Sequence, residues 1–407
     1  MTVTLPVLQN VREKDAPALH LKSSDEFPAL AMTPEIEQML AEGANIGSGV
    51  SGGGDSDVLA HLVEMERRRK GSPGKHVLVY ADLGEIAWRG DQPQCQHLAD
   101  RLGLELVVVK SDMLGRWEKR WKDNLARYHA LCCVKIIMPW SGPGLLRFCT
   151  SDTKVTPISQ ELVRRFPNST ILSGSGIRHD ESQQRKNAPV FKAQSKLWRV
   201  KANTRGYDWH PLIEWTKRDV FRYHQVMHLP LHPAYSLGCS RVSCPYCVVQ
   251  GIGDKRAALR AEETHPAYRR ICRLEVHSGF SFQAGLWLSD LAPHLLDQEV
   301  REEIPHAKER ARQRALVEAR IPARLLYEKG WPTCIPTWEE AALLAEIRQD
   351  IARINGMDID YSEPAAIITR FSELMEIRRQ REEEKARKQL LVPTGVEEAS
   401  DDADSAA

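Results

Sequence analysis

Four short apolar runs, each parted from the next by a stretch of helical character, set the strongest limit on how this chain folds. Asn45–Val50, His76–Asp82, Leu104–Lys110 and Thr170–Ser173 read as buried strands. Helices are expected over Asp55–Lys70, Asp91–Leu102, Gly115–Leu131 and Val155–Arg165, the last with Pro157 in its first turn. Parallel neighbours need a long crossover, usually a helix, whereas antiparallel neighbours need only a tight turn. The pattern therefore predicts an α/β fold, a doubly wound and mostly parallel sheet of Rossmann type. A short helix is expected over Pro34–Glu42, and another over Lys217–Gln225 with Thr216 as its N-cap.

The pattern changes after about residue 235. Cysteine- and glycine-rich sequence spans Gly238–Gly253, and strand signals then fade. Ala257–His277, Leu286–Leu296, Glu302–Arg320, Trp338–Ile354 and Glu363–Leu390 read as helices, with Pro305, Pro322, Pro332 and Pro336 as breaks. The expected organisation is an irregular segment 1–40, a nucleotide-binding α/β domain 41–235, a cysteine loop 236–253, a helical region 254–392 and a disordered acidic tail 393–407. Lys+Arg is 56 against Asp+Glu 55, which excludes a strongly basic whole-chain nucleic-acid binder but not a local basic patch. No apolar run approaches the length of a membrane span, and the N-terminus lacks a basic-then-apolar leader, so a cytoplasmic protein is expected. In that setting nine cysteines point to metal binding, redox chemistry or packing rather than to disulfides.

Four motifs carry chemistry. Ser51-Gly52-Gly53-Gly54-Asp55-Ser56 joins the first strand to its helix. Consecutive glycines let main-chain amides approach a phosphate, and the helix N-terminus adds donors and a positive dipole end. Ser51 and Ser56 add hydroxyls, and Asp55 can cap the helix or help hold a metal. It is not a Walker sequence, since the G-x-x-x-x-G-K-[ST] spacing is absent. The turn after the second strand, Asp82-Leu83-Gly84, falls where open α/β sheets bind ligands. Two later elements, Arg147-Phe148-Cys149-Thr150 through Lys154 to Pro157-Ile158, and Gly174-Ser175-Gly176-Ile177-Arg178 through Glu181-Ser182 to Arg185, supply cations. From Arg178 to Arg205 eight Lys or Arg side chains face only Asp180 and Glu181, with Trp198 among them. That excess fits a polyanionic substrate, nucleic acid being one candidate.

The string SGGGDS resembles the PP-loop, usually written SGGxDS, of the adenine nucleotide alpha-hydrolase superfamily. Its x is often Lys; here it is Gly54, and Lys154 can supply the charge instead. The two later elements and Trp209-His210-Pro211-Leu212 through Trp215-Thr216 resemble the phosphoadenosine-phosphosulfate (PAPS) reductase-like branch. The resemblance covers roughly residues 45–250. It implies ATP or a PAPS-like adenine nucleotide at Ser51, Gly52, Gly53, Gly54, Asp55, Ser56, Asp82, Gly84 and Gly174, with Mg2+, and active groups at Asp55, Lys154, Arg178 and Arg185.

Cys239-x4-Cys244-x2-Cys247 packs three thiols into nine residues, enough to wrap one metal centre. The resemblance implies Cys149 as the fourth ligand, with Cys132-Cys133 the other source. Four thiolates suit a [4Fe–4S] cluster or a structural Zn2+, and the resemblance favours iron. Cys95, Cys272 and Cys334 are isolated and read as structural. Sulfonucleotide reductases carry a late E-C-G-[IL]-H motif that this chain lacks. The implied activity is therefore an iron–sulfur ATP pyrophosphatase and sulfurtransferase, similar to the sulfurtransferase of DNA phosphorothioation systems, with a sulfur-donor protein and a nucleic acid as implied partners. The alternatives are a PAPS or adenylyl-sulfate reductase forming sulfite, and a non-catalytic nucleotide-binding protein with a zinc site.

Overall fold

A computed structural model describes residues 27–140 and 148–390. The expected irregular lead-in before residue 27, Arg147 of the third motif and the acidic tail 393–407 lie outside the described residues.

Six strands form one sheet: β1 Asn45–Val50, β2 His76–Asp82, β3 Glu105–Lys110, β4 Thr170–Gly174, β5 Phe191–Ala193 and β6 Arg205–Trp209. Their spatial order is β3-β2-β1-β4-β6-β5. All neighbours are parallel except β5 and β6, which run antiparallel with Phe191 opposite Trp209. The chain winds outward from β1 through β2 to β3, then returns to the other side of β1 as β4. The crevice at the carboxyl ends of β1 and β4 is thus a topological switch point, where such sheets bind ligands.

Strand alternation divides the core into two layers. Leu78 and Tyr80 of β2 pack with Cys95, Leu98 and Ala99 of helix α3 (Asp91–Leu102). Val77 and Val79, pointing the other way, meet Leu162 of α5 (Thr156–Arg165). Gly47 of β1 permits that approach, since a Cβ there would lie 2.5 Å from Leu162 Cδ2. Helices α1 (Pro34–Ala41), α2 (Gly54–Arg69) and α6 (Lys217–Val226) cover the first face, around Trp209, Trp215 and Tyr223. Thr216 caps α6 in a reciprocal capping box with Asp219, as its position before the helix predicts.

The remaining helices, α4 (Met113–His129), α7 (Ile252–Ala258), α8 (His265–Ser278), α9 (Gln298–Glu318), α10 (Trp338–Asn355) and α11 (Pro364–Leu390), build a second apolar cluster. Three expectations fail here. The helix expected over Ala257–His277 is two helices, because Thr264 Oγ1 donates to the Ala258 and Ala261 carbonyls and Pro266 opens a fresh first turn. Leu286–Leu296 forms two short 3-10 turns instead of a helix. The buried Glu275 carboxylate accepts the amides of Phe282, Leu288 and Ser289, and Pro293 starts a separate turn of its own. Pro305 does not break α9 but sits inside it, beside the buried Ile304 and Ala307. Fully buried Arg348 of α10 ties the layer together, donating to the carbonyls of Tyr128 and His129 at the end of α4 and of Asp360 and Tyr361 before α11.

Candidate active site

The glycine-rich turn folds as the spacing predicts. Gly52 takes φ +72°, a conformation costly for any residue with a Cβ, and α2 starts at Gly54. Ser56 Oγ donates to the Gly53 carbonyl at 2.8 Å and accepts the Ser51 amide at 3.2 Å, which closes the turn on itself. Ser51, Asp55 and Ser56 face a cavity of about 560 Å³ at the switch point.

The other lining groups come from distant stretches. After β4, Ser175, Gly176, Ile177 and Arg178 run along the cavity floor. Gly176 lies so near α2 that a Cβ would stand 2.9 Å from the Asp55 carbonyl oxygen. Arg178 is buried and forms ion pairs with Asp55 and, at 2.9 Å, with Asp180. Arg185 pairs with Glu181. Lys154 reaches the same space from a π-helical turn over Ser151–Val155, a widened turn that recurs at functional sites. Lys217, at the start of α6, donates to the Ser240 carbonyl at 2.8 Å and also lines the cavity. An apolar wall is made by Leu83, Ile86, Met113 and Trp117.

Cys149, Cys244 and Cys247 line this same cavity. Burial pushes the Cys244 thiol up to about 12, Lys154 opposes that, and Cys247 and Cys149 add to it. Cys239 is buried and does not line this cavity; its thiol is 4.0 Å from the Asp254 carbonyl, and burial raises it to about 11. Among the described residues no three His, Cys, Asp or Glu side chains are gathered into a metal-ligating group. Three soft sulfur donors around one cavity fit an iron–sulfur cluster or zinc in kind, though not gathered into a ligating group; the fourth expected donor, Cys239, does not line that cavity. Cys132 and Cys133 sit at the end of α4 against the helical layer, away from the cavity.

Several other expected residues lie beneath or beside the cavity rather than on its surface. Asp82 and Gly84 border a neighbouring cleft of about 320 Å³ with Trp88, Arg89 and Glu263. The Asp82 carboxylate accepts the Gly84 amide at 2.9 Å. Gly52 packs on Asp91, Gly53 on Val242, and Gly174 on Ser48. Gly54 is crowded: a Cβ there would stand 3.3 Å from His224 Nε2 and 3.4 Å from the Tyr235 hydroxyl.

A buried acid–imidazole pair supports the turn from below. Asp91 accepts the Trp88 amide at 3.2 Å, and burial raises its carboxyl to about 8. His232 Nδ1 accepts the Ala234 amide, so the assigned proton sits on Nε2, 3.4 Å from Asp91. Burial lowers that imidazole to about 4. Sequence reasoning missed Tyr235, Val242, Lys217 and this pair. Only the folded path of residues 230–249 across the turn reveals them.

Residues 46–250 match the family model described as the phosphoadenosine phosphosulfate reductase domain. The match spans half of the chain, and the chain belongs to that family. An uncharacterized 37.8 kDa protein of Escherichia phage 186 is 28% identical over 203 residues, 42% of this chain and 58% of the phage protein. An adenosine 5'-phosphosulfate reductase of Bacillus mycoides is 28% identical over 114 residues, 28% of this chain and 42% of that enzyme. A phosphoadenosine 5'-phosphosulfate reductase of Photobacterium profundum is 25% identical over 221 residues, 51% of this chain and 70% of that enzyme. The chain thus spans about half the length of the first two relatives. Among solved structures, a PAPS reductase of Candida auris is similar at 14% identity and TM-score 0.31, covering 53% of this chain and 98% of that one. A U34-tRNA thiolase of Methanococcus maripaludis with its [4Fe-4S] cluster is similar at 12% identity and TM-score 0.30, covering 64% and 84%. No helix among the described residues is long and apolar enough to cross a membrane.

Proposed function

We propose that this chain binds ATP, or a PAPS-like adenine nucleotide, in the switch-point cavity and transfers sulfur there as an ATP pyrophosphatase and sulfurtransferase. The observation that carries the reading is that anion-binding groups and three thiols line one cavity.

In this reading the Asp55–Arg178 pair is a resting contact. Phosphate oxygens take over the Arg178 fork, which suits planar, bidentate recognition, and Asp55 is released toward Mg2+. Lys154 and Arg185 neutralise the remaining charge, the former replacing the lysine absent at position 54. The apolar wall of Leu83, Ile86, Met113 and Trp117 suits a purine ring. Holding polyphosphate and sulfur acceptor together supplies proximity, and the fixed cations stabilise charge developing at the α-phosphate. Cys149, Cys244 and Cys247 would hold the metal centre. Bound there, an iron–sulfur cluster would supply a sulfur-carrying iron site, whereas zinc would only staple the loop. The basic stretch from Arg185 to Arg205 supports a polyanionic acceptor, nucleic acid among them.

Sulfonucleotide reduction is the second reading, favoured by the reductases among the relatives. Against it stands Cys334, the only cysteine after Cys272. Its thiol donates to the Arg324 carbonyl at 3.2 Å and does not line the cavity.

Conversion of ATP to AMP and pyrophosphate tests the first reading, and sulfite release from adenylyl sulfate with a thiol donor tests the second. Asp55→Ala and Arg178→Ala are each expected to abolish nucleotide binding or turnover. Wild-type behaviour in both would remove this site assignment. Iron, sulfide and zinc analysis after anaerobic purification separates the two metal centres.

A further inference from the structure

The segment from Pro230 to Val249 crosses the glycine-rich turn like a strap and ends in the cysteine wall. Its start is tied down by Gln94, which donates to the Pro230 carbonyl at 2.8 Å, and by the His232–Asp91 pair. Its far part is tied by Trp88 Nε1, which donates to the Ser243 carbonyl at 2.9 Å, and by Lys217 and Asp254, which hold Ser240 from two sides. In the middle stands Tyr235, its ring edge-on to Phe221 with centroids 5.2 Å apart. The Tyr235 hydroxyl oxygen accepts the Gly54 amide at 3.2 Å. Val242 itself packs over Gly53, 3.3 Å from where a Cβ would be. Tyr235 itself belongs to the strap, so this one hydrogen bond, with Val242 over Gly53, joins the glycine-rich turn to the segment that leads into Cys244.

The Gly54 amide belongs to the first turn of α2, the kind of donor a phosphate takes. A phosphate oxygen accepts a charge-assisted hydrogen bond, which is stronger than one to a neutral phenol. A phosphate arriving at the turn therefore competes directly with the Tyr235 hydroxyl for the Gly54 amide.

We propose that Tyr235 is a positioning residue that couples phosphate occupancy of the glycine-rich turn to the conformation of the strap carrying Cys244 and Cys247. The proposal rests on the nucleotide reading above. It goes further in stating that the phosphate site and the thiol wall respond as one unit, so that the thiols adopt their working arrangement only when nucleotide is present.

The test is amide hydrogen exchange by mass spectrometry on the full chain as isolated, wild type and Tyr235→Phe, each without ligand and at saturating ATP with Mg2+. Adenosine serves as a phosphate-free control, and calorimetry verifies saturation. In the wild type ATP, but not adenosine, is expected to change exchange across residues 240–249 by about five-fold, the equivalent of one hydrogen bond of about 1 kcal/mol. In ligand-free Tyr235→Phe the same peptide is expected to exchange already at the ATP-bound rate, with ATP adding less than about two-fold, while peptides from β1 and β4 stay protected. A full ATP response in the variant overturns the coupling, as does a wild type that binds ATP without any change in the strap. If calorimetry shows that the wild type does not bind ATP, the nucleotide reading falls. Equal ligand-free exchange in the two proteins refutes the Tyr235 tie by itself.

Discussion

Gly176→Ala probes the site with a single methyl group. The new Cβ would stand 2.9 Å from the Asp55 carbonyl oxygen and 3.1 Å from its carbonyl carbon. Both are main-chain atoms, so no side chain can swing aside, and the segment after β4 has to move away from α2. Strain of this kind costs about 1–3 kcal/mol. The displaced segment carries Arg178, two residues on, whose fork meets Asp55. If most of that strain falls on the nucleotide-bound arrangement, affinity drops roughly 5- to 150-fold, at 1.36 kcal/mol per factor of ten. Titration calorimetry with ATP reads this directly, and thermal unfolding checks that the fold survives. Gly253→Ala is the matched control, since nothing lies within 4 Å of a Cβ there and its helix gains from alanine. An unchanged ATP affinity in Gly176→Ala, with the control also unchanged, would refute the argument that this close approach positions Arg178.

Two further outcomes concern stability. Arg348→Ala strips the donors from four main-chain carbonyls, those of Tyr128, His129, Asp360 and Tyr361, and is expected to cost at least about 3 kcal/mol in urea unfolding; a loss under about 1 kcal/mol would show that water reaches those carbonyls. Burial raises the Asp57 carboxyl from 3.8 to about 7, so its folded form favours the proton, and the stability this gives is complete below pH 3.8 and lost as the pH rises through 7. Asp57→Asn, which cannot ionise, is therefore expected to gain on the wild type by roughly 2 kcal/mol between about pH 5.5 and about pH 8.5 in denaturant unfolding, and a pH-independent difference would contradict the raised carboxyl.

Much of the sheet is legible in the sequence because its strands are buried on both faces. The expected runs Asn45–Val50 and His76–Asp82 coincide with β1 and β2, and Asp91–Leu102 with α3. The inner strand β6 escapes notice. Arg-Gly-Tyr-Asp-Trp has no apolar run, and its Gly206 is present because a Cβ would collide with Leu197. Three-residue β5 is too short to carry a period. In the site, local motifs disclose Ser51, Asp55, Ser56, Lys154, Arg178 and Arg185, since each belongs to a string that also shapes its own backbone. What they do not disclose is which side of the turn is covered. That depends on residues 230–249, whose anchors Gln94, Trp88, Lys217 and Asp254 are scattered in sequence and meet only in space. The same distance hides that Cys239 does not line the cavity with the other three thiols.

The crowding around Gly54 has a consequence for any attempt to restore the lysine common at that position of the loop. His224, Tyr235 and Val220 stand 3.3, 3.4 and 3.5 Å from where its first carbon would lie. A lysine placed there would press its first carbon against these neighbours, which must give by a few tenths of an ångström, as well as adding a cation. Lys154 and Tyr235 line the same cavity, so the proposed supply of charge from Lys154 leaves the Tyr235 contact with Gly54 in place.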